Sequence, residues 1–187
     1  MIPRIKYLGN IAEQLADIYY NAKKRKYNLI FDWNSLDSDI ESSIERELLN
    51  ISKEAACVTN ASFFAHHLAT NNASFWHYDG RLDECMVIST YPYNTQIFQQ
   101  FYELDIKWDP AIIPTKKDAK RRNAYINKLV REGKGRIITP KAGDVYMVEP
   151  RTIHRANPES RRCPRVCGRI YFRNKRIKNV FNDANPL

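Results

Sequence analysis

Three side chains in this sequence could share one metal ion: His77 and Asp79, in the stretch Phe75-Trp76-His77-Tyr78-Asp79-Gly80-Arg81, and His154 far downstream. On an extended strand, residues two apart point to the same side, so the His77 imidazole and the Asp79 carboxylate converge. A second imidazole at that point gives two nitrogens and one carboxylate on one face of an ion. The opposite positions stay open, an arrangement that suits ferrous iron and oxygen chemistry. A lone His-x-Asp pair is usually an ordinary strand-end feature, so the signal rests on the combination. His66 and His67 lie nearer in sequence, but neighbours on a strand face opposite ways, and at most one of them could serve.

The stretch from Ala142-Gly143-Asp144 through Val148 to Glu149-Pro150-Arg151-Thr152-Ile153-His154 reads as a turn, a buried strand, a second turn and a histidine. That order delivers His154 just past a strand end. Arg165 follows eleven residues later and opens the strand Arg165 to Phe172, on which Arg165, Cys167, Arg169 and Tyr171 share one face. A guanidinium beside a metal is suited to gripping a carboxylate through two hydrogen bonds. Arg155, Arg161, Arg162 and Arg169 compete with Arg165 for that task, Arg169 foremost. Tyr91, Tyr93 and Tyr146 lie on or beside the same strands, where a hydroxyl could hold a small acid, although sheet packing is the plainer role for strand aromatics.

These residues need a rigid sheet to carry them. From Ala55 the texture becomes short apolar, β-branched segments (56–64, 75–79, 84–91, 95–101, 136–139, 144–149 and 165–172), most separated by turn formers such as Pro92-Tyr93-Asn94 and Asn157-Pro158. Helical periodicity precedes them: Ile11, Leu15, Ile18 and Tyr19 predict a helix over about 10–25, and Ser38 to Glu41 reads as a capping box for a second helix ending near Lys53. A third helical pattern interrupts the strands at about 115–133, with Ala119, Ile126, Leu129 and Val130 on one face. The length of 187 residues fits one domain. It divides into a helical flank at 1–54, a β core at 55–172 and a basic tail at 173–187.

The His-x-Asp pair, the Gly-Asp strand leading to a distal His, and the Arg about eleven positions later together resemble the Fe(II)- and 2-oxoglutarate-dependent dioxygenases. The likeness covers about 55–172. It implies a mainly β fold with flanking helices, a double-stranded β-helix (jelly roll, cupin-like). It further implies that His77, Asp79 and His154 hold Fe(II) and that Arg165 binds the distal carboxylate of 2-oxoglutarate, with Arg169 as second choice. 2-Oxoglutarate and O2 are then co-substrates, succinate and CO2 are co-products, and an unidentified substrate is hydroxylated or demethylated. An aspartate at the third ligand position leaves no room there for a halide and so argues against halogenation. A cupin-like metalloenzyme needing no oxo acid would keep the three ligands and tolerate Arg165→Met.

Thirty Lys and Arg against 21 Asp and Glu give a net charge of +9, which attracts anionic partners. Nine cations and two acids fall within 116–136, so most of the excess belongs to the interrupting helix. Together with the basic tail this predicts an acidic macromolecular partner, a nucleic acid or an acidic protein or peptide. A non-catalytic jelly-roll module binding such a partner is the alternative function. The N-terminus lacks a signal-peptide core, eighteen consecutive apolar residues occur nowhere, and the four cysteines are scattered, which together predict a cytoplasmic protein with free thiols.

Overall fold

A computed structural model describes residues 2–24, 58–67, 74–79, 84–106, 108, 115–161 and 163–173. The expected helix at 38–53 and the basic tail beyond 173 lie outside the described residues. Eight strands and two α-helices are described: β1 Ile5–Asn10, α1 Ala12–Lys24, β2 Val58–His67, β3 Glu84–Tyr91, β4 Gln96–Gln100, α2 Lys116–Arg131, β5 Gly135–Ile138, β6 Asp144–Val148, β7 Ile153–Arg155 and β8 Arg165–Arg173. The fold is mainly β, with antiparallel pairing in two sheets, one of five strands ordered β1-β6-β3-β8-β2 and one of three ordered β5-β4-β7.

Alternation assigns each face a different neighbour. Met86, Ile88, Val148, Cys167 and Tyr171 of the large sheet meet Ile97 and Ile138 of the small one, forming an apolar layer between them. The odd-numbered residues of β3 turn the other way, toward α1, which packs on β2, β3 and β8 and buries Ile11, Leu15, Ile18 and Tyr19. The outer face of the small sheet presents Phe98, Ile137 and Ile153 to Ile126 and Leu129 of α2. α2 begins with a reciprocal cap, in which Thr115 Oγ1 accepts from the Asp118 N–H and the Asp118 carboxylate accepts from the Thr115 N–H. That cap satisfies two otherwise orphaned donors.

Two expectations are corrected. The segment 75–79 is not a strand with a ladder; it makes one isolated bridge, His77 to His154. Its partner β7 spans only three residues between a turn at 149–152 and a 3-10 turn at Pro158–Arg161, leaving no length for more. The N-terminal flank is not purely helical, since Ile5–Asn10 forms the edge strand β1 on β6, in register Ile5 to Val148 through Asn10 to Asp144. Local pattern does not announce a six-residue strand whose partner lies about 140 positions away and whose register shifts between Tyr7 and Gly9.

Four pairings are nested: β2 with β8, the His77 segment with β7, β3 with β6, and β4 with β5. The nesting brings the middle of the chain back onto its end. It places His77 and His154 opposite each other.

Candidate metal centre

The bridge between His77 and His154 consists of two backbone hydrogen bonds, His77 N–H to His154 O at 3.0 Å and His154 N–H to His77 O at 2.8 Å. Directly opposed residues on an antiparallel pair point to the same face, and the two imidazoles lie with ring centroids 4.5 Å apart. That face is the interior one. β4 pairs Ile97 with His154 and Phe98 with Ile153, so His154 joins Ile97 between the sheets while Ile153 joins Phe98 beneath α2. By the same alternation Trp76 and Tyr78 turn toward α2, and His77 and Asp79 turn inward.

The inward groups converge as the spacing predicts. Asp79 Oδ1 lies 3.9 Å from His77 Nε2 and 3.8 Å from His154 Nε2. The three residues form a group whose candidate ligand atoms all lie within 4.8 Å of one another. Ligand bonds of about 2.0–2.2 Å put adjacent ligands of one ion about 3 Å apart, so sub-ångström inward movements would close the set.

Backbone carbonyls orient the rings. His77 Nδ1 is 2.6 Å from Phe75 O, and His154 Nδ1 is 3.0 Å from Thr152 O. A carbonyl can only accept, so each Nδ1 carries the proton and each Nε2 turns a lone pair toward the centre, the tautomer a metal requires. The Tyr171 hydroxyl donates to Asp79 Oδ2 at 3.0 Å. Oδ1 is left facing the two nitrogens.

His154 Nε2 is buried and has no hydrogen-bond partner, in a residue only 4% exposed. A buried polar atom without a partner costs about 1–3 kcal/mol, and a metal ion would remove that cost. Protonation also suits ligation. Burial and the neighbouring His154 lower the His77 pKa to about 4, outweighing Asp79 and the Phe75 carbonyl. Burial alone would raise Asp79, but His154, Arg169, His77 and the Tyr171 hydroxyl bring it down to about 2. At neutral pH His77 is therefore a neutral imidazole and Asp79 a carboxylate.

His154 is delivered by a strained turn. Glu149 O accepts from the Thr152 N–H at 3.2 Å and from its hydroxyl at 2.6 Å, with Pro150 and Arg151 between. Arg151 sits at φ 65, where a side chain costs roughly 1–2 kcal/mol. The buried Glu149 carboxylate is held by Arg4, whose Nε and Nη2 donate to Oε1 at 3.0 and 2.7 Å and whose N–H donates to Oε2 at 2.8 Å. Arg4, which leads into the unforeseen strand β1, thus anchors the turn before the distal histidine.

Arg169 and Arg165 both lie on the inner face of β8, at unequal distances. Arg169 is one strand repeat from Tyr171, about 7 Å, and Arg165 three repeats, about 20 Å. Arg169 is close enough to shift both His77 and Asp79, and its Nε is buried without a hydrogen-bond partner. Arg165 is buried at the far end of the strand, opposite His67, and burial lowers its pKa. The structure therefore brings the second-choice arginine, not the first, toward the triad.

The tyrosines separate as well. Tyr146 is on the inner face, across Ile88 from Arg169, and its ring packs 5.4 Å from Tyr7. Tyr91 faces α1, its ring 5.7 Å from Tyr19, and is not brought to the triad. Sequence reading assigned no role to Tyr171, although its place on the Arg169 face was visible in the alternation. Asp79, His154 and Tyr171 line a small open cleft of about 20 Å³, whose other walls include Glu84, Met86, Pro150, Arg151 and Thr152.

α2 supports this centre from behind. Arg122, buried on its inner side, donates to Trp76 O at 3.2 Å and lies 5.0 Å over the Trp108 ring. Arg155 stacks 4.4 Å over the Trp76 ring, and its Nη1 donates to Asn123 at 3.2 Å. The Tyr78 hydroxyl donates to Trp108 O. These contacts fix the residues on both sides of His77.

No protein-family model matches this chain, and no curated protein matches its sequence. Cys85, Cys163 and Cys167 are free thiols, and among the described residues no helix is long and apolar enough to cross a membrane.

Proposed function

We propose that this protein is an Fe(II)- and 2-oxoglutarate-dependent oxygenase that hydroxylates or demethylates a substrate entering through the cleft beside Asp79 and His154. The observation that carries the reading is the inward Nε2 of His154, buried without a partner and facing His77 Nε2 and Asp79 Oδ1. Two imidazoles and a carboxylate are the ligand set of ferrous oxygenases. The nested strand pairing supports the jelly-roll reading, because a hairpin of eight strands rolled on itself pairs first with last and fourth with fifth.

In this reading His77, Asp79 and His154 hold Fe(II). Bound iron supplies coupled oxidation: O2 converts 2-oxoglutarate to succinate and CO2 and oxidises a substrate C–H bond to C–OH. The chain's own residues set the conditions. The carbonyls of Phe75 and Thr152 keep the protons on Nδ1, so both Nε2 atoms remain ligands. Tyr171 limits Asp79 to one free oxygen. Met86, Ile97 and Val148 exclude water from the interior side. Arg169 is the residue best situated to hold the co-substrate's distal carboxylate, with Arg165 behind it on the same face.

The test is substrate-uncoupled succinate formation from 2-oxoglutarate with Fe(II) and O2, measured in the wild type and in folded His154→Ala and Asp79→Ala variants. Turnover in the wild type alone is expected. Arg169→Met should raise the apparent KM for 2-oxoglutarate at least about tenfold, the loss of a charge-assisted carboxylate contact, while Arg165→Met changes it less. If Mn(II) raises the melting temperature but 2-oxoglutarate neither raises it further nor turns over, the oxo-acid reading fails and a cupin-like metal site is left.

A further inference from the structure

The outer face of α2 is a row of cations. On a helix advancing 100° per residue, Ala119, Arg122, Ile126 and Leu129 fall within about 80° of arc, and these are its buried residues. Lys116, Lys117, Lys120, Arg121, Lys128 and Arg131 fall within an arc of about 140° on the opposite side, and all six are exposed. The row is about 24 Å long. Exposed Lys134 and Arg136 continue it. Its acids are already engaged by cations: Asp118 lies 4.0 Å from Arg121, and Glu132 lies 2.8 Å from Lys134 and 3.6 Å from Lys128. Lys116, Lys117, Lys120 and Arg131 make no ion pair among the described residues.

Aromatic rings stand beside this charge. Tyr125, 37% exposed, sits one helical turn from Arg121 and from Lys128, with its ring 6.2 Å from Trp108. At the other end Phe101 and Tyr102 are 46% and 60% exposed, and the Phe101 N–H donates to Lys134 O at 3.0 Å. Cations that follow a backbone, flanked by flat rings on which unpaired bases stack, are how single strands are held without sequence preference. Ala119, Ile126 and Leu129 of α2 are spent on the core, so its outer face offers a partner mainly charge.

We infer that the outer face of α2 is a docking surface for single-stranded nucleic acid. The inference does not depend on the oxygenase reading, because none of these residues belongs to the metal centre. It is tested by fluorescence anisotropy with a labelled single-stranded DNA of about 20 nucleotides, a duplex of equal length and polyglutamate, at 50 and about 200 mM salt. The strand should bind most tightly, and four to six phosphate contacts should weaken it about 50- to 300-fold across that salt range. Lys120→Glu/Arg121→Glu/Lys128→Glu should lose at least about tenfold in affinity at low salt, leaving Mn(II) binding and melting temperature unchanged. The Gln version of the same triple variant repeats the test without charge reversal. Wild-type affinity in folded triple variants, salt-insensitive binding, or equal or tighter binding of duplex or polyglutamate would each overturn the proposal.

Discussion

The triad and the outer face of α2 both concentrate ionisable groups, and the two places treat them oppositely. Between the sheets, His77 and Asp79 are each held by hydrogen bonds and have displaced pKa values, because burial magnifies every nearby charge. On α2 the cations project into water, where Arg121 and Lys128 have 70% and 63% exposed side chains and their ion pairs are long. Screening makes such pairs nearly worthless individually. Charge at the triad acts through exact position, and charge on α2 through number.

This contrast orders the expected effects. His154→Ala removes a candidate ligand and should weaken Mn(II) or Co(II) binding by more than the roughly 100-fold that loss of a supporting hydrogen bond can cause, measured by calorimetric titration. A smaller loss would mean that His154 is not a ligand. Next, Ile126→Ala opens space beneath Trp76, Phe98 and Ile153 and should cost about 2–5 kcal/mol in urea unfolding. A cost below 1 kcal/mol would show that α2 does not support the centre from behind.

Acid should separate the two regions further. Between pH 6.5 and about 4 the unfolded chain protonates a histidine that folded His77 leaves neutral, so stability falls as pH falls. Asp79 acts in the same sense lower down: its contribution is present above 3.8 and lost toward about 2. Without added metal the protein should lose on the order of 2–3 kcal/mol between pH 7 and 4 from His77. His77→Gln should flatten that part of the curve, and an unchanged slope would refute the burial argument.

Tyr171→Phe removes only the donor to Asp79 Oδ2 and should reduce metal affinity about 10- to 100-fold. A null effect would make the hydroxyl incidental. Smallest of all, Lys120→Ala should change stability by no more than about 0.5 kcal/mol. A larger effect would mean that the outer face of α2 is not simply solvated.

Much of this was legible locally. Period-two alternation in Trp76-His77-Tyr78-Asp79 assigned two residues to each face, and that assignment held although the segment forms one bridge instead of a strand. Ile11, just before α1, and Leu15, Ile18 and Tyr19 within it are all buried, as their spacing predicted, and Ala119, Ile126 and Leu129 are buried in α2. Val130, assigned to the same apolar face, is 36% exposed, because the core side of α2 is centred on Arg122 and Ile126. Arg122 counted as one more surface cation in the sequence, yet it is buried with its guanidinium on a backbone carbonyl.

What the sequence determined by itself was periodicity: which residues alternate on a strand, which share a helical stripe, and that two histidines and an aspartate stand at places where inward side chains could meet. Those are properties of neighbours along the chain, governed by fixed backbone repeats. Tertiary structure alone decided which arginine approaches the triad, that Tyr171 holds Asp79, that β1 and Arg4 brace the turn before His154, and that Tyr91 turns away toward α1. Each of those depends on strand register between segments far apart in sequence, where a shift of one residue reverses every side chain.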